Sequence, residues 1–287
     1  MPRREIETMS LHDGAHEGAH QWPVRGVRAG TAFALQDWVA DEVPVALEYN
    51  GISQAVMLAT PLDLEDFALG FSLSEGILES ADELFEFEEE TSDLGITLHL
   101  RVAGSAFARL KERRRSMSGR TGCGLCGTES LSQVLRPLSP LPAAPVLQRQ
   151  AISRAMAQFR SLQTLQQATG AVHAAAWCSA AGQVMLLRED VGRHNALDKL
   201  IGALARAGTD AASGFIAVTS RASFEMVQKT VAARVPLLAA VSAPTSLAVQ
   251  TAGRAHLALV GFAREQDLVV YAHPERLALD GKAGHAH

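Results

Sequence analysis

Between Pro137 and Leu147 the chain carries four prolines, Pro137, Pro140, Pro142 and Pro145. Each fixes φ and removes a backbone donor, so neither a helix nor a central strand can cross this stretch. It predicts an extended linker that divides the chain. Beyond the linker the pattern is regular. Ile152, Met156, Phe159, Leu162 and Leu165 mark one helical face, closed by Gly170. Val172–Cys178 and Gln183–Leu187 predict a strand pair around an Ala-Gly turn. Strands at Phe215–Thr219, Leu237–Val241, Leu257–Phe262 and Leu268–Tyr271 then alternate with helices near Asn195–Ala207, Phe224–Ala233 and Thr245–Gly253. That alternation predicts an α/β fold with a mainly parallel sheet covered on both faces.

Ahead of the prolines the pattern changes. Val43–Tyr49 and Ile52–Ala59 are β-leaning runs joined by Asn50-Gly51, a tight-hairpin signal. Thr60 is a good N-cap, Pro61 suits the first helical position, and Asp63 complements a helix dipole. Leu64, Phe67, Ala68 and Phe71 come next at helical spacing. Leu84–Phe87 and Ile96–Val102 predict strands about an acidic turn, and Ala106–Met117 a helix. Residues 1–25 hold His12, His16 and His20 without any period and predict a floppy tail rather than a metal site, as does Gly281–His287. The expected organisation is a disordered tail (1–25), a small α+β domain (26–118), a Cys loop and linker (119–148) and an α/β domain (149–280).

Composition narrows the class. A length of 287 residues suits about two domains, and 47% hydrophobic with 20% charged residues excludes wholesale disorder. No apolar run reaches the roughly 18 residues of a membrane helix, and Met1–Ser10 lacks the apolar core of a secretory signal. Three cysteines, an odd number, argue against a disulfide framework, and a net charge of −5 against a general nucleic-acid binder. The expectation is a cytoplasmic protein without membrane or nucleic-acid partners.

Two of the cysteines sit in Thr121-Gly122-Cys123-Gly124-Leu125-Cys126-Gly127-Thr128. The flanking glycines permit unusual backbone angles, so a bending loop is expected to present both sulfurs. Arg109, Lys111, Arg113, Arg114, Arg115 and Arg120 precede it. A cationic neighbourhood favours thiolate over thiol. A zinc knuckle would need a second ligand pair, and only Cys178 remains. A thioredoxin-like dithiol would sit in a βαβ unit rather than after an Arg-rich helix. The third reading is a sulfur relay, in which one thiolate takes up a sulfur atom as a persulfide and passes it on.

A second concentration of charge, Glu189–Lys199, lies where a strand hands over to a helix. Thr219–Ser223 and Ser242–Ser246 occupy two similar junctions. Ligands gather at strand C-termini in open α/β sheets, and helix N-termini attract phosphate. Arg193 and Arg221 are candidate phosphate clamps, with His194, Ser220 and Ser242 beside them. The bland alternatives are N-caps at Ser220 and Ser242, a structural His194, a core His173, a solvated face at Asp198 and Lys199, and a helix-supporting Glu225–Lys229 pair.

Taken together, the Cys loop, Glu189–Lys199, Thr219–Lys229 and Val241–Thr245 resemble the FdhD family, sulfur carriers needed for formate dehydrogenase activity. Glu42–Leu47, Asn50–Ile52 and Leu69–Gly76 look like that family's first domain, and the match runs from about Val27 to Leu277. The resemblance implies a sulfurtransferase that takes sulfur from a cysteine desulfurase. It would pass that sulfur to a molybdenum cofactor, bis-molybdopterin guanine dinucleotide, destined for formate dehydrogenase; a guanine nucleotide should mimic this bound substrate. By carry-over Cys123 is the persulfide carrier and Cys126 its helper, and the cofactor contacts map onto Phe262, Ala263, Arg264, Glu265, Gln266, Asp267 and Leu268. It also implies a homodimer and a second domain shaped like a three-layer cytidine deaminase. Deaminase chemistry itself needs His-x-Glu, and His173 is followed by Ala174 and Ala175. Two rival readings are a non-catalytic chaperone binding the cofactor and formate dehydrogenase, and a zinc-stabilised nucleotide-binding module.

Overall fold

The first regular element lies where the sequence predicts a tail. The computed structural model describes residues 16–118 and 138–279, the side chains of 113–118 excepted. In it β1 (Ala19–Arg28) pairs antiparallel with β2 (Thr31–Ala40). Ala29 (φ 49°) and Gly30 (φ 79°) form the turn. Residues 19–25 are therefore strand, not tail. The ribbon is mostly exposed and docks through Ala19, Trp38 and Ala40 near Leu165 and Val172.

The next strands form a sheet ordered β4-β3-β6-β5: β3 (Val43–Tyr49), β4 (Ile52–Ala59), β5 (Leu84–Ser92) and β6 (Gly95–Val102). Asn50 (φ 46°) and Gly51 (φ 80°) make the expected hairpin turn. Asn50 also bonds the neighbouring strand, its amide donating to Val102 O and accepting from Val102 N. The residues expected as an acidic turn, Glu88–Glu90, lie inside β5. One face of the sheet packs on α1 (Leu64–Ser74) and α2 (Gly104–Ser118). Val45, Leu47, Leu98, Leu100, Phe67 and Leu110 fill that core, each contributing about 1.5–3 kcal/mol relative to exposure. Thr60 is not the cap of α1; Asp63, at φ 52°, occupies that position.

After the linker, β7 (Leu147–Gln148) leads into α3 (Arg149–Leu162) and α4 (Thr164–Thr169). The single helix predicted over Ile152–Leu165 is broken at Gln163 (φ −84°, ψ 78°), while Gly170 (φ 68°) ends α4 as expected. The remaining elements are β8 (His173–Ser179), β9 (Val184–Asp190), α5 (Arg193–Arg206), β10 (Gly214–Val218), α6 (Phe224–Ala232), β11 (Leu237–Ala240), α7 (Ser246–Arg254), β12 (Ala258–Arg264), β13 (Asp267–Ala272) and β14 (Leu277–Ala278). The central sheet has the order β13-β12-β11-β10-β8-β9. It is mixed rather than mainly parallel: β10–β11 and β11–β12 are parallel, and β8–β9, β8–β10 and β12–β13 antiparallel. Leu197, Leu200, Met226, Val227 and Ala248 cover one face, and Ile152, Ala155 and Phe159 the other. The linker is extended but anchored, with Leu141 in the core and its N–H bonded to Ala255 O.

The two lobes meet where α1 crosses α5. Gly70 and Gly202 permit the crossing, because a methyl on Gly70 would overlap Asp198 O and one on Gly202 would overlap Asp66 O. Charged groups surround it. Asp190 Oδ2 accepts from Lys199 Nζ (2.7 Å) and Thr60 N (3.0 Å), and Oδ1 from Gly192 N (2.7 Å) and Asn195 Nδ2 (3.0 Å). Lys199 also donates to Thr60 O (2.9 Å). Lys229 Nζ lies 2.9 Å from both Asp198 oxygens and 3.1 Å from Glu75, while Ser74 Oγ donates to Asp198 at 2.6 Å. Burial opposes the charge on Lys229, but the Asp198 and Glu75 carboxylates outweigh it and its pKa rises. Asp66 pairs with Arg188 (2.7 Å) and Arg206 (2.9 Å).

Candidate functional site

Strand direction places the site. β9 and β10 both run antiparallel to β8, and β10, β11 and β12 run parallel in turn. The C-terminal ends of β9, β10, β11 and β12 therefore share one rim, where open α/β sheets bind ligands. The junctions knit together there. Phe262 N donates to Ser242 O (3.3 Å), Thr245 N to Ala222 O (3.1 Å) and Arg264 Nε to Val241 O (3.1 Å).

A cleft of about 570 Å³ opens at this rim between the end of α3 and the β12–β13 turn. It suits one nucleotide-sized ligand. Thr219, Val241, Ala263, Arg264 and Glu265 line one side, and Phe159, Arg160, Gln163, Gln166 and Gln167 the other. The turn itself is unusual: Phe262 (φ 51°) and Glu265 (φ 48°) are left-handed, and the ladder is irregular between Gly261 and Arg264. Left-handed non-glycine residues cost energy and cluster at functional sites. Arg149 Nη1 holds Gln266 O at 3.0 Å, Asp267 pairs with Arg264 in the ladder, and Leu268 packs on the core.

The expected residues thus divide. Ala263, Arg264 and Glu265 line the cleft, and Ser242 fastens their turn. Arg193, His194 and Ser223 gather on the α5–α6 side of the rim. His194 Nε2 lies 3.5 Å from Ser223 Oγ and 3.8 Å from Glu225. Burial and the Arg193 charge lower the pKa of His194, and the same two causes lower that of His173. Arg193 Nε is buried without a hydrogen-bond partner among the described residues. Arg221 is exposed, and Ser220 is buried with its hydroxyl donating to Arg221 O. Neither serine caps a helix; Ser223 and Thr245 hold the N-cap positions of α6 and α7. Asp198 and Lys199 are 1% and 0% exposed and belong to the lobe interface, not to a solvated face. Lys229 serves that interface too, pairing with Asp198 and Glu75.

Cys123 and Cys126 lie outside the described residues. Arg109, the first cation of the preceding run, is committed to Glu83 (2.5 Å) and Ile77 O (3.2 Å). Cys178 is fully buried, and burial pushes its pKa up to about 12, so its thiol stays protonated and inert. Among the described residues no three His, Cys, Asp or Glu side chains converge as a metal cluster, and no helix is long and apolar enough to cross a membrane. The sequence reading missed the α3–α4 wall. Its only signal was the glutamine-rich stretch Gln163-Thr164-Leu165-Gln166-Gln167 at the end of the apolar face.

A mixed α/β protein with a nucleotide-sized cleft at the strand ends, welded through buried charge to a second sheet, defines the class. The chain belongs to the FdhD/NarQ family, whose model matches residues 40–278. It is 69% identical over 255 residues to the sulfur carrier protein FdhD of Variovorax paradoxus, covering 89% of this chain and 92% of that protein. It is 59% identical over 277 residues to the sulfur carrier protein FdhD of Cupriavidus necator, covering 96% of each. A candidate formate dehydrogenase accessory protein from Desulfotalea psychrophila, solved by crystallography, shares the fold. The TM-score is 0.72 at 23% identity, covering 91% of this chain and 99% of that one.

Proposed function

We propose that this chain is a persulfide-forming sulfurtransferase of the cytoplasm, acting as a homodimer. It accepts sulfur from a cysteine desulfurase and delivers it to bis-molybdopterin guanine dinucleotide for formate dehydrogenase. The observation that carries the substrate half is the rim cleft. Neutral amides and apolar groups on one wall, with Arg160 and Arg264 at its margin, suit a heterocycle carrying phosphates. In this reading the second lobe is layered like a cytidine deaminase, and its strand ends hold a nucleotide rather than a zinc site.

The chemistry begins at Cys123. Its thiolate attacks the outer sulfur of the desulfurase persulfide; the S–S bond breaks, the desulfurase thiolate leaves, and Cys123 becomes the persulfide. The Cys126 thiolate then attacks the inner sulfur of that persulfide; the S–S bond breaks, hydrosulfide leaves as the sulfur destined for the molybdenum of the bound substrate, and the Cys123–Cys126 disulfide that forms is reduced by a cellular thiol.

Intact-mass measurement after incubation with desulfurase and cysteine tests this. One added sulfur on Cys123 is expected, with none in Cys123→Ala, and formate dehydrogenase made beside that variant should be inactive. Undiminished enzyme activity with Cys123→Ala would point to a chaperone instead.

A further inference from the structure

Three glutamines face the rim cleft, and two are already committed. Gln166 Oε1 accepts from Val172 N (2.9 Å), and Gln167 Nε2 donates to Arg160 O (2.5 Å). The third, Gln163, is only 7% exposed and lines the cleft; its side-chain amide makes no hydrogen bond among the described residues and is not one of their sealed, unpartnered side-chain atoms, so it opens onto the cleft. An amide without a protein partner that opens onto a cavity is left to solvent or to a ligand. Gln163 also occupies the break between α3 and α4, although glutamine is a good helix former. A helix interrupted at a favourable residue, with that residue's amide left open in a cavity, is a local conflict of the kind found at functional sites.

The surroundings define what would satisfy it. Phe159 and Ala263 are buried at 4% and 1%, and Met156 is half-buried beside them. These are apolar neighbours for a flat ring, whereas the cations Arg160 and Arg264 are exposed. A phosphate would go to the guanidinium groups; a heterocycle would go to the amide. A carboxamide carries one acceptor and two donors. It therefore complements a ring lactam, accepting from its N–H and donating to its C=O.

We infer that Gln163 is a substrate-positioning residue that hydrogen-bonds the lactam edge of the bound heterocycle. This rests on reading the rim as the binding face for the guanine dinucleotide substrate. Two rings of that substrate carry the edge, the guanine base and the pterin, and the test separates them.

Calorimetry on the full-length protein, wild type and Gln163→Met, with GDP, free pterin and inorganic pyrophosphate as probes, decides it. Methionine keeps the length of the side chain and removes its polar atoms. Wild type should bind GDP, and the variant should bind it at least about tenfold more weakly, with pyrophosphate binding unchanged and the unliganded melting temperature equal or higher. The same pattern with pterin in place of GDP assigns the pterin to this amide. Equal GDP and pterin affinities in both proteins would overturn the role of Gln163 and leave the rim reading standing. A wild-type protein that binds neither GDP nor pterin would overturn both. Equal weakening for pyrophosphate, or a fall in melting temperature without a loss of binding, would mark the amide as structural and defeat the inference.

Discussion

Asp190→Ala should lower the unfolding free energy by about 3–5 kcal/mol, the usual cost of orphaning one member of a buried ion pair. Asp190 and Lys199 are both fully buried, so bulk solvent does not reach the stranded ammonium. Four donors converge on Asp190, from Lys199, Thr60, Gly192 and Asn195, and all lose their acceptor together. Against a total stability of about 5–15 kcal/mol this is severe. Adding Lys199→Met should recover part of the loss, because the stranded ammonium goes with its partner. Urea unfolding of the single and double variants measures both. A single variant within about 0.5 kcal/mol of wild type would mean the pair is not buried as described. Arg193 and His194 sit between Asp190 and Asn195, so this variant should also disturb the α5 side of the rim.

Gly70→Ala should cost about 2–4 kcal/mol. Alanine is the better helix former by about 1 kcal/mol, so propensity alone predicts a gain. Sterics decide the sign, since the added methyl would overlap the Asp198 carbonyl and crowd Gly202 N. The lobes must then part at their closest point, straining the neighbouring Ser74–Asp198 and Lys229–Asp198 bonds. Gly253→Ala in α7 is the control. Nothing lies within 4 Å of its added methyl, and it should gain about 0.5–1 kcal/mol. Thermal unfolding of the two variants compares them; a gain at both positions would show that α1 and α5 do not approach this closely.

Much of the architecture was legible because it is local. Asn50-Gly51 specifies its own turn, and the helices and strands beyond the prolines emerge from periodicity. What failed was non-local. Thr60 resembles an N-cap, but its backbone N–H and C=O serve Asp190 and Lys199, more than a hundred residues away in sequence. The charges of Glu189–Lys199 looked like a binding rim. Yet Asn195–Leu204 is buried without interruption, so α5 is covered on all sides and must take charge inside with it. β1 and β2 gave no signal because most of their residues face solvent and no apolar alternation develops. Strand direction is also silent in composition, which is why the sheet was expected to be mainly parallel. In the cleft, Arg264 and its neighbours were found through family resemblance, whereas Gln163 required the third dimension.

The seam between α1 and α5 bears on how the two lobes can move against each other. With Gly70 pressed on Asp198 and salt links on either side, the sheets are not built to swing like jaws.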